Sequence, residues 1–409
     1  MKWTQGLDKL GIGLYLIISL FAVANIYSVD ESLGKKQLIF FVLSLFVGFA
    51  VFVTRNKFFE NLAGIFYILG VLLLIGLFPF GTEILGQKNW YKFGSVTMQP
   101  VEFAKIGTAL MLANYVSGPD FNIKYAKSLW TSLAIIAVPA VVVLAIPDVG
   151  SLLVFGAFFI ALYREGLSGW FFSILGLFIL VFAFSLAVYP LYVVLGIFVI
   201  SLLLILSNRR KISWNVVTIS QIMVPFLLLC SFAYFAPSIV EKLPKHQRER
   251  IEVLYKGERA FRDTSGYNLL YSKTAIGSGG FWGKGYKQGS VTQGKFVPEQ
   301  ETDYIFCTVG EEWGFFGSTL LVIAYALFIG RIYFLAEKQK SIFNRVFGYS
   351  FASILLMHFS INIAMVMGLF PTVGIPLPYF SYGGSSFLAF SIMAAIFFKL
   401  NYTDRNSLV

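Results

Sequence analysis

Asp303 is the residue of this sequence whose type and position best suit acid–base chemistry. It lies in the segment 297–306, shortly before an apolar run at 316–334. A carboxylate at the boundary between water and a membrane can serve as general base for a hydroxyl nucleophile. The alternative is structural, because Thr302 suits a helix N-cap and Asp303 would then compensate the helix dipole from the first turn. The residues alone leave both interpretations open.

Two residues of opposite charge, Glu102 and Lys105, interrupt the apolar run 101–116. Their i, i+3 spacing places them on one helical face, where they can neutralise each other. Ionisable groups at membrane depth are costly and are usually paired or functional. The pair can therefore be a structural ion pair, part of a polar, substrate-facing cavity, or both. Asp148, which follows Pro147 at a helix junction, is better suited to cap a helix.

A glycine-rich segment could bind an anion, because its backbone approaches a ligand closely and offers free N–H groups to phosphate oxygens. It lacks the spacing of a P-loop and the strand–helix context of a dinucleotide fingerprint. The alternative is a flexible turn with solvated lysines. The segment begins with Gly277, Ser278, Gly279 and Gly280 and continues through Gly283, Gly285 and Gly289, with Lys284, Lys287 and Lys295 among them.

A second irregular stretch, 368–386, contains three prolines and four glycines. Non-helical backbone at membrane depth is tolerated where protein or a water-filled cavity satisfies it. We therefore predict an outer, re-entrant loop over 371–382 beside a polar cavity, with Asn362 on the preceding helix as a donor. The broken helix of a transporter would look similar, which keeps a transport function open.

The rest of the chain must hold these residues in a membrane. Of its 409 residues 57% are apolar and 13% charged, with a mean hydropathy of +0.75, against about 25% charged residues in soluble domains. This composition excludes a water-soluble enzyme. It predicts an all-α, polytopic protein with about twelve transmembrane helices, in one domain over 1–409. The apolar runs lie at about 10–28, 37–53, 60–80, 101–116, 129–146, 151–163, 168–187, 190–207, 216–236, 316–334, 346–370 and 383–399.

The cations follow the positive-inside rule. With twelve spans, one alternating set of tails and loops holds sixteen Lys and Arg, and the short loops of the other set hold four. This asymmetry predicts that both termini are cytoplasmic. The long segment 237–315 then forms a structured extracytoplasmic loop, where the chemistry is expected. The net charge of +11 reflects orientation, and no nucleic-acid partner is predicted.

Other classes of catalytic site are disfavoured by the motifs. The sequence has no HExxH, GxSxG or CxxC pattern, and its two histidines, His246 and His358, are far apart. Zinc hydrolysis and Ser/His/Asp catalysis are therefore not expected. Cys230 and Cys307 do not form a disulfide framework.

Several motifs together resemble the SEDS family of bacterial membrane proteins, the RodA/FtsW/SpoVE glycosyltransferases. The resemblance covers most of the chain. The stretch 289–293 is closer to the elongation branch of the family than to the division branch. The matching elements are Trp90, Gln99-Pro100, 102–105, Pro147-Asp148 with Gly150, Gly266-Tyr267 with Ser272, 275–280, Pro298-Glu299, 302–306, Glu311-Glu312 and 371–386.

The resemblance implies a peptidoglycan polymerase that joins lipid II into β-1,4 glycan strands outside the cytoplasmic membrane, for elongation and rod shape. A flippase for the same lipid, or a division polymerase, is the alternative. Asp303 matches the family's catalytic aspartate. The implied substrate-binding residues are Trp90, Glu102, Lys105, Gly277, Ser278, Gly279, Gly280, Thr302, Ser381 and Ser385, and the intramembrane structural residues are Asp148 and Asn362.

The family's chemistry needs a base for the acceptor hydroxyl and positive charge on the pyrophosphate. Lys105, outer-loop cations or a divalent cation, magnesium or manganese, could supply that charge. The implied partners are a class B penicillin-binding protein and other proteins of the elongation complex. The chain departs from the family pattern at Asn89 and Val101, and in an apparent extra helix pair added to a core of ten.

Overall fold

Helices form where the apolar runs predict them. The computed structural model describes residues 6–55, 57–84, 87–94, 96–208 and 215–406. Four cations assigned to the cytoplasm, Lys2, Arg209, Arg210 and Lys211, lie outside these residues. The chain, predicted as one domain, packs as two compact units, one of Met1–Leu167 with Asn268–Val409 and one of Ser168–Tyr267.

The first part of the larger unit contains nine helices and a small sheet. Its helices are α1 (Lys9–Val29), α2 (Glu31–Val53), α3 (Phe58–Asn61), α4 (Ala63–Ile75), α5 (Leu77–Phe80), α6 (Pro100–Val116), α7 (Ala126–Ala145), α8 (Val149–Val154) and α9 (Ala157–Arg164). Three antiparallel strands, in the order β1-β2-β3, precede α6: β1 (Thr82–Ile84), β2 (Gln87–Phe93) and β3 (Val96–Met98). This sheet is absent from the all-α prediction, because β1 and β3 have only three residues each and β2 is largely polar.

The smaller unit contains α10 (Trp170–Ala187), α11 (Pro190–Asn208), α12 (Val216–Glu241), α13 (Lys245–Lys256) and a 3₁₀ turn (Glu258–Phe261). Helix α12 continues through Pro237, so the outer loop predicted over 237–315 begins inside a helix. A proline removes one backbone donor without necessarily ending a membrane helix. The apparent extra helix pair corresponds to α10 and α11.

The larger unit is completed by α14 (Tyr267–Ser278), α15 (Ser290–Gln293), α16 (Ile305–Glu337), α17 (Ile342–Val366) and α18 (Gly384–Asn406). Helix α6 packs among α4, α7, α17 and α18. Among the described residues, ten helices are long and apolar enough to cross a membrane. Two of the twelve predicted spans are shorter helices, α6 and the pair α8–α9.

Helix α16 is broken at Gly314, which has φ 64° and ψ −162°. The glycine-rich segment fills the break, because the N–H groups of Phe315 and Phe316 donate to the carbonyl oxygens of Gly280 and Phe281 at 2.9 and 3.0 Å. A side chain at position 314 would meet the backbone of this segment. The break is therefore satisfied by hydrogen bonds, as backbone at membrane depth requires.

Candidate active site

Asp303 lies in a turn that precedes helix α16 and not inside that helix. Tyr304 is the N-cap of α16, and Ile305 is its first residue. The turn starts at Glu299, which has a φ of 60° and whose carbonyl oxygen accepts the N–H groups of Thr302 and Tyr304. The prediction that Thr302 caps the helix is therefore wrong, since its hydroxyl donates to the Glu299 carboxylate at 3.0 Å. Because Asp303 precedes the N-cap, it does not compensate the helix dipole from within the first turn.

The loop 371–383 binds this turn through side-chain and backbone hydrogen bonds. Ser381 Oγ donates to the carbonyl oxygen of Thr302 at 2.6 Å. The N–H group of Tyr382 donates to the carbonyl oxygen of Glu301 at 2.8 Å. Two of the predicted substrate-binding residues, Thr302 and Ser381, thus join the turn to the loop.

The carboxylate of Asp303 lies against the loop backbone. The side-chain amide of Asn362 donates to the carbonyl oxygens of both Asp303 (2.8 Å) and Ile375 (2.7 Å). A Cβ atom added at Gly374 would lie 3.2 Å from Asp303 Oδ2. Because Gly374 has a φ of 72°, any other residue there would combine backbone strain with this close approach.

Glu102 and Lys105 form the ion pair that their spacing predicts. Lys105 Nζ lies 2.8 Å from Glu102 Oε1 and 2.8 Å from His358 Nε2. It also lies 5.3 Å from the centre of the Phe390 ring, within range of a cation–π interaction. His358 Nδ1 lies 3.1 Å from the carbonyl oxygen of Pro376. The pair is thereby connected to the same loop that binds Asp303.

The ion pair is enclosed by the helices around α6. The side chains of Lys105 and Glu102 are 0% and 2% exposed, and Glu102 Oε2 has no hydrogen-bond partner among the described residues. A pair that lines an open, substrate-facing cavity would be accessible. The structure therefore favours the structural ion pair of the two interpretations.

Asp148 caps a helix, which is the role that the sequence favours. Its carboxylate accepts the N–H and hydroxyl groups of Ser151 at 2.9 and 2.8 Å and the side-chain amide of Asn89 at 3.2 Å. The unusual Asn89 is thus accommodated by a buried hydrogen bond. The neighbouring Trp90 is half-buried on β2, opposite Thr82.

The beginning of α18 is connected to the beginning of α6. Ser385 Oγ accepts the N–H group of Gln99 at 3.2 Å. Ser385 is buried, so this predicted substrate-binding hydroxyl has a structural contact. The hydrogen bond positions the N-terminal end of α6, which carries Glu102.

The glycine-rich segment packs on helix α16. A Cβ atom at Gly279 would collide with the carbonyl oxygen of Gly310, and one at Gly283 with that of Glu312. Gly277, in contrast, has open space around it. At Gly279 the backbone closely approaches helix α16, where an anion site would have it approach a ligand.

The lysines of this segment are paired with acids. In addition to its ion pair with Lys284, the buried carboxylate of Glu311 accepts the backbone N–H groups of Val291 and Thr292 at 2.9 and 2.7 Å. Lys284 is 28% exposed, whereas the side chain of Lys295 is 64% exposed and remains in contact with solvent. The three ion pairs are Lys284–Glu311 (2.7 Å), Lys287–Glu31 (2.7 Å) and Lys295–Asp30 (3.1 Å).

Gly279→Ala is expected to destabilise the protein, and Gly277→Ala is expected to leave it folded. The added methyl group at position 279 overpacks the contact with α16, at a cost of about 1–3 kcal/mol. At position 277 the same change meets open space within α14. The thermal unfolding midpoint of each purified variant measures the effect. Equal midpoints would contradict the packing role, and loss of activity in a fully folded Gly277→Ala would support substrate binding there.

A cavity of about 170 Å³ lies beside the turn that carries Asp303. Burial raises the pKa of the Glu301 carboxyl, and the charge of Glu299 adds to this effect. Hydrogen bonds from the Ser32 hydroxyl and from Lys295 lower the pKa of Asp30 well below its usual range. The cavity is lined by Val29, Asp30, Leu33, Lys295, Val297, Pro298, Glu299, Gln300 and Glu301.

Sequence reasoning missed His358 as a partner of the ion pair. Its only sequence signal is the i, i+4 spacing to Asn362, which places both polar side chains on one face of α17. The contact of His358 with Lys105 joins residues 253 positions apart, and no local pattern encodes such a distance. A polar pair on one face of an apolar helix is nevertheless a usable signal.

A divalent cation has no evident ligand set in the described part of the chain. No three His, Cys, Asp or Glu side chains are grouped there as metal coordination requires. Magnesium and manganese prefer carboxylate and carbonyl oxygens. Near Asp303, the carbonyl oxygens of Asp303 and Ile375 already accept hydrogen bonds from Asn362.

The sequence matches one family model over residues 3–194 and 191–406, the FtsW/RodA/SpoVE family, described as "Cell cycle protein". The peptidoglycan glycosyltransferase MrdB of Escherichia coli K12 is 29% identical over 330 residues, which cover 81% of this chain and 75% of that protein. The peptidoglycan glycosyltransferase RodA of Treponema pallidum is 27% identical, with 90% of this chain and 89% of that protein covered.

Two solved structures share the fold. One, from a study of a peptidoglycan synthase complex that coordinates polymerization and crosslinking, has a TM-score of 0.71 at 23% identity and covers 98% of this chain and 99% of that one. The other, the rod shape determining protein RodA of Thermus thermophilus, has a TM-score of 0.64 at 22% identity and covers 99% of both chains. By its sequence match over nearly its whole length, the chain belongs to the FtsW/RodA/SpoVE family.

Proposed function

We propose that the protein polymerises lipid II into β-1,4-linked glycan strands on the outer face of the bacterial cytoplasmic membrane. The chain is a peptidoglycan glycosyltransferase of the RodA-like, elongation type, as its MrdB and RodA relatives are named. The observation that carries the proposed mechanism is the position of Asp303. Its turn is fixed by Asn362 and Ser381, while its carboxylate lies beside Gly374.

The proposed reaction is a single inverting displacement. Asp303 accepts the proton of the acceptor sugar's 4-hydroxyl as that oxygen bonds to the anomeric carbon of the donor. The bond from this carbon to the pyrophosphate breaks, and its electron pair leaves with undecaprenyl pyrophosphate. An α-linked donor thereby becomes a β-linked product. Because this leaving group needs no protonation, one carboxylate suffices, whereas glycosidases use two.

Asn362 and Ser381 orient Asp303 for its proposed role as general base. The hydrogen bonds from Asn362 and Ser381 are made to backbone carbonyl oxygens of the turn. They therefore fix the main chain and do not involve the carboxylate of Asp303. A base held by its main chain is already oriented when the acceptor binds.

The proposed topology places both termini in the cytoplasm and Asp303 outside. The distribution of sixteen cations against four supports this orientation. The proposed partner is a class B penicillin-binding protein, together with other proteins of the elongation complex. Support comes from the structural similarity to a protein studied in a complex that coordinates polymerization with crosslinking.

Synthesis of glycan from purified components tests the proposal. The protein and a class B penicillin-binding protein of the same organism are reconstituted in liposomes with lipid II, and the products are resolved by gel electrophoresis. We expect long glycan strands. If the protein moved lipid II between leaflets but formed no polymer, a flippase would replace the polymerase. Repetition with EDTA tests the predicted divalent cation.

A further inference from the structure

His358 has a defined protonation pattern that follows from its two neighbours. An ammonium group can only donate hydrogen bonds. Because Lys105 Nζ lies 2.8 Å from Nε2 of His358, this ring nitrogen must be the acceptor. The hydrogen of a neutral imidazole is then on Nδ1, which lies 3.1 Å from the carbonyl oxygen of Pro376 and donates to it. The ring thus connects a buried cation to the backbone of the loop 371–383.

Asn362 makes the next contact along the same face of α17. Its amide donates to the carbonyl oxygens of Ile375 and Asp303. The opposite orientation of this amide would place its oxygen against two carbonyl oxygens, so the network sets the assignment. His358 and Asn362 together bind two successive carbonyl groups of the loop, and the second of these residues also binds Asp303.

The prolines and glycines of the loop preclude a regular helix, so its backbone depends on contacts with other elements, such as the Tyr325 hydroxyl, which donates to the carbonyl oxygen of Pro378. Each buried carbonyl group needs a donor, and α17 supplies donors at residues 375 and 376. Helix α17 is itself held to α6 by the contact between His358 and Lys105. Part of what fixes the loop, and the turn bound to it, is therefore connected to an ion pair buried within the membrane-spanning bundle.

We propose that His358 is a positioning residue for Asp303, through which the buried Glu102–Lys105 ion pair sets the place of the catalytic turn. This inference rests on the proposed role of Asp303 as general base. His358 acts through the carbonyl group of Pro376, and Asn362 passes the constraint on to the main chain of Asp303. A displacement of about 1 Å at a reacting group costs roughly 100-fold in rate.

Two substitutions separate the two hydrogen bonds of His358. His358→Asn places an amide where Nδ1 stands and keeps the donor to Pro376. His358→Gln places an amide where Nε2 stands and keeps the acceptor for Lys105. We expect both variants to lose kcat with KM changed by less than about 2-fold: roughly 100-fold for His358→Gln, which releases the loop directly, and about 10-fold for His358→Asn, which keeps the bond to the loop but detaches it from the ion pair.

A buried hydrogen bond elsewhere on α17 provides the control. Ser353 Oγ and the Tyr333 hydroxyl lie 2.7 Å apart, and Ser353→Ala removes this contact without touching the loop. We expect Ser353→Ala to lower the unfolding midpoint about as much as the His358 variants do, while its kcat matches that of the wild type. If the activities of all three variants fell in step with their unfolding midpoints, or if His358→Gln stayed fully active, the positioning role would be overturned.

The tautomer of His358 gives a readout that does not depend on activity. The chain has two histidines, and His246 is exposed on α13, so His246→Gln leaves a single ring for ¹⁵N-histidine labelling. Solid-state NMR is expected to show a neutral ring protonated at Nδ1. A ring protonated at Nε2, or a doubly protonated ring, would overturn the inference. Activity in Asp303→Asn would instead overturn the proposed base, which is a separate outcome.

Discussion

Asp303→Asn is expected to abolish synthesis of glycan from lipid II while leaving the protein folded. Asparagine has nearly the shape of aspartate and keeps the main-chain carbonyl group that Asn362 binds. What it lacks is a carboxylate that can accept the proton of the acceptor hydroxyl. General-base catalysis contributes about 100- to 10,000-fold to a reaction rate. The rate of polymerisation should therefore fall at least about 100-fold.

The measurement is the initial rate of glycan formation, with the thermal unfolding midpoint as a check on folding. Glu301→Gln is the matched control, because it changes a carboxylate of the same turn while the Glu301 carbonyl still accepts the N–H group of Tyr382. It should retain activity. Undiminished polymerisation by Asp303→Asn would show that this carboxylate is not the base.

Lys105→Met is expected to cause the largest loss of stability. It leaves the carboxylate of Glu102 buried without its counter-ion, since the pair is 0% and 2% exposed. Removal of one partner of a buried ion pair costs about 3–5 kcal/mol. The unfolding midpoint in detergent should fall sharply, and the yield of folded protein with it.

The double variant Glu102→Gln, Lys105→Met separates charge balance from positioning. Without a buried charge, its unfolding midpoint should recover most of the loss seen in Lys105→Met. Its rate of glycan synthesis should stay low, because His358 no longer receives a hydrogen bond from position 105. Recovery of both stability and activity would mean that the ion pair only balances charge.

The sequence predicts local features of this protein well. Glu102 and Lys105 pair as their i, i+3 spacing indicates, because both lie on one helix. Asp148 caps α8 because proline and glycine around it interrupt the helix. Such features depend on neighbouring residues, and the apolar runs likewise form helices because each run satisfies its own backbone.

The contacts that locate the site are long-range, and the sequence does not encode them locally. The start of α16 is displaced to Ile305 by the turn at Glu299, whose positive φ has no signature in a non-glycine residue. Gly279, a glycine of the predicted anion site, packs against the backbone of α16, and this contact requires its small size. In both cases the deciding contact comes from elsewhere in the chain.

The break at Gly314 has a consequence for how the enzyme responds to the thickness of its bilayer. The part of α16 after the break, 315–337, is about 35 Å long at ~1.5 Å per residue, close to a hydrocarbon core of about 30 Å. The part before it is buried and carries the turn of Asp303 at its end. Hydrophobic mismatch is relieved by helix tilt. Because residues 280–285 are hydrogen-bonded to α16 on both sides of the break, we expect a tilt of the membrane-spanning part to be transmitted to the turn of Asp303, so that membrane thickness affects the position of this turn.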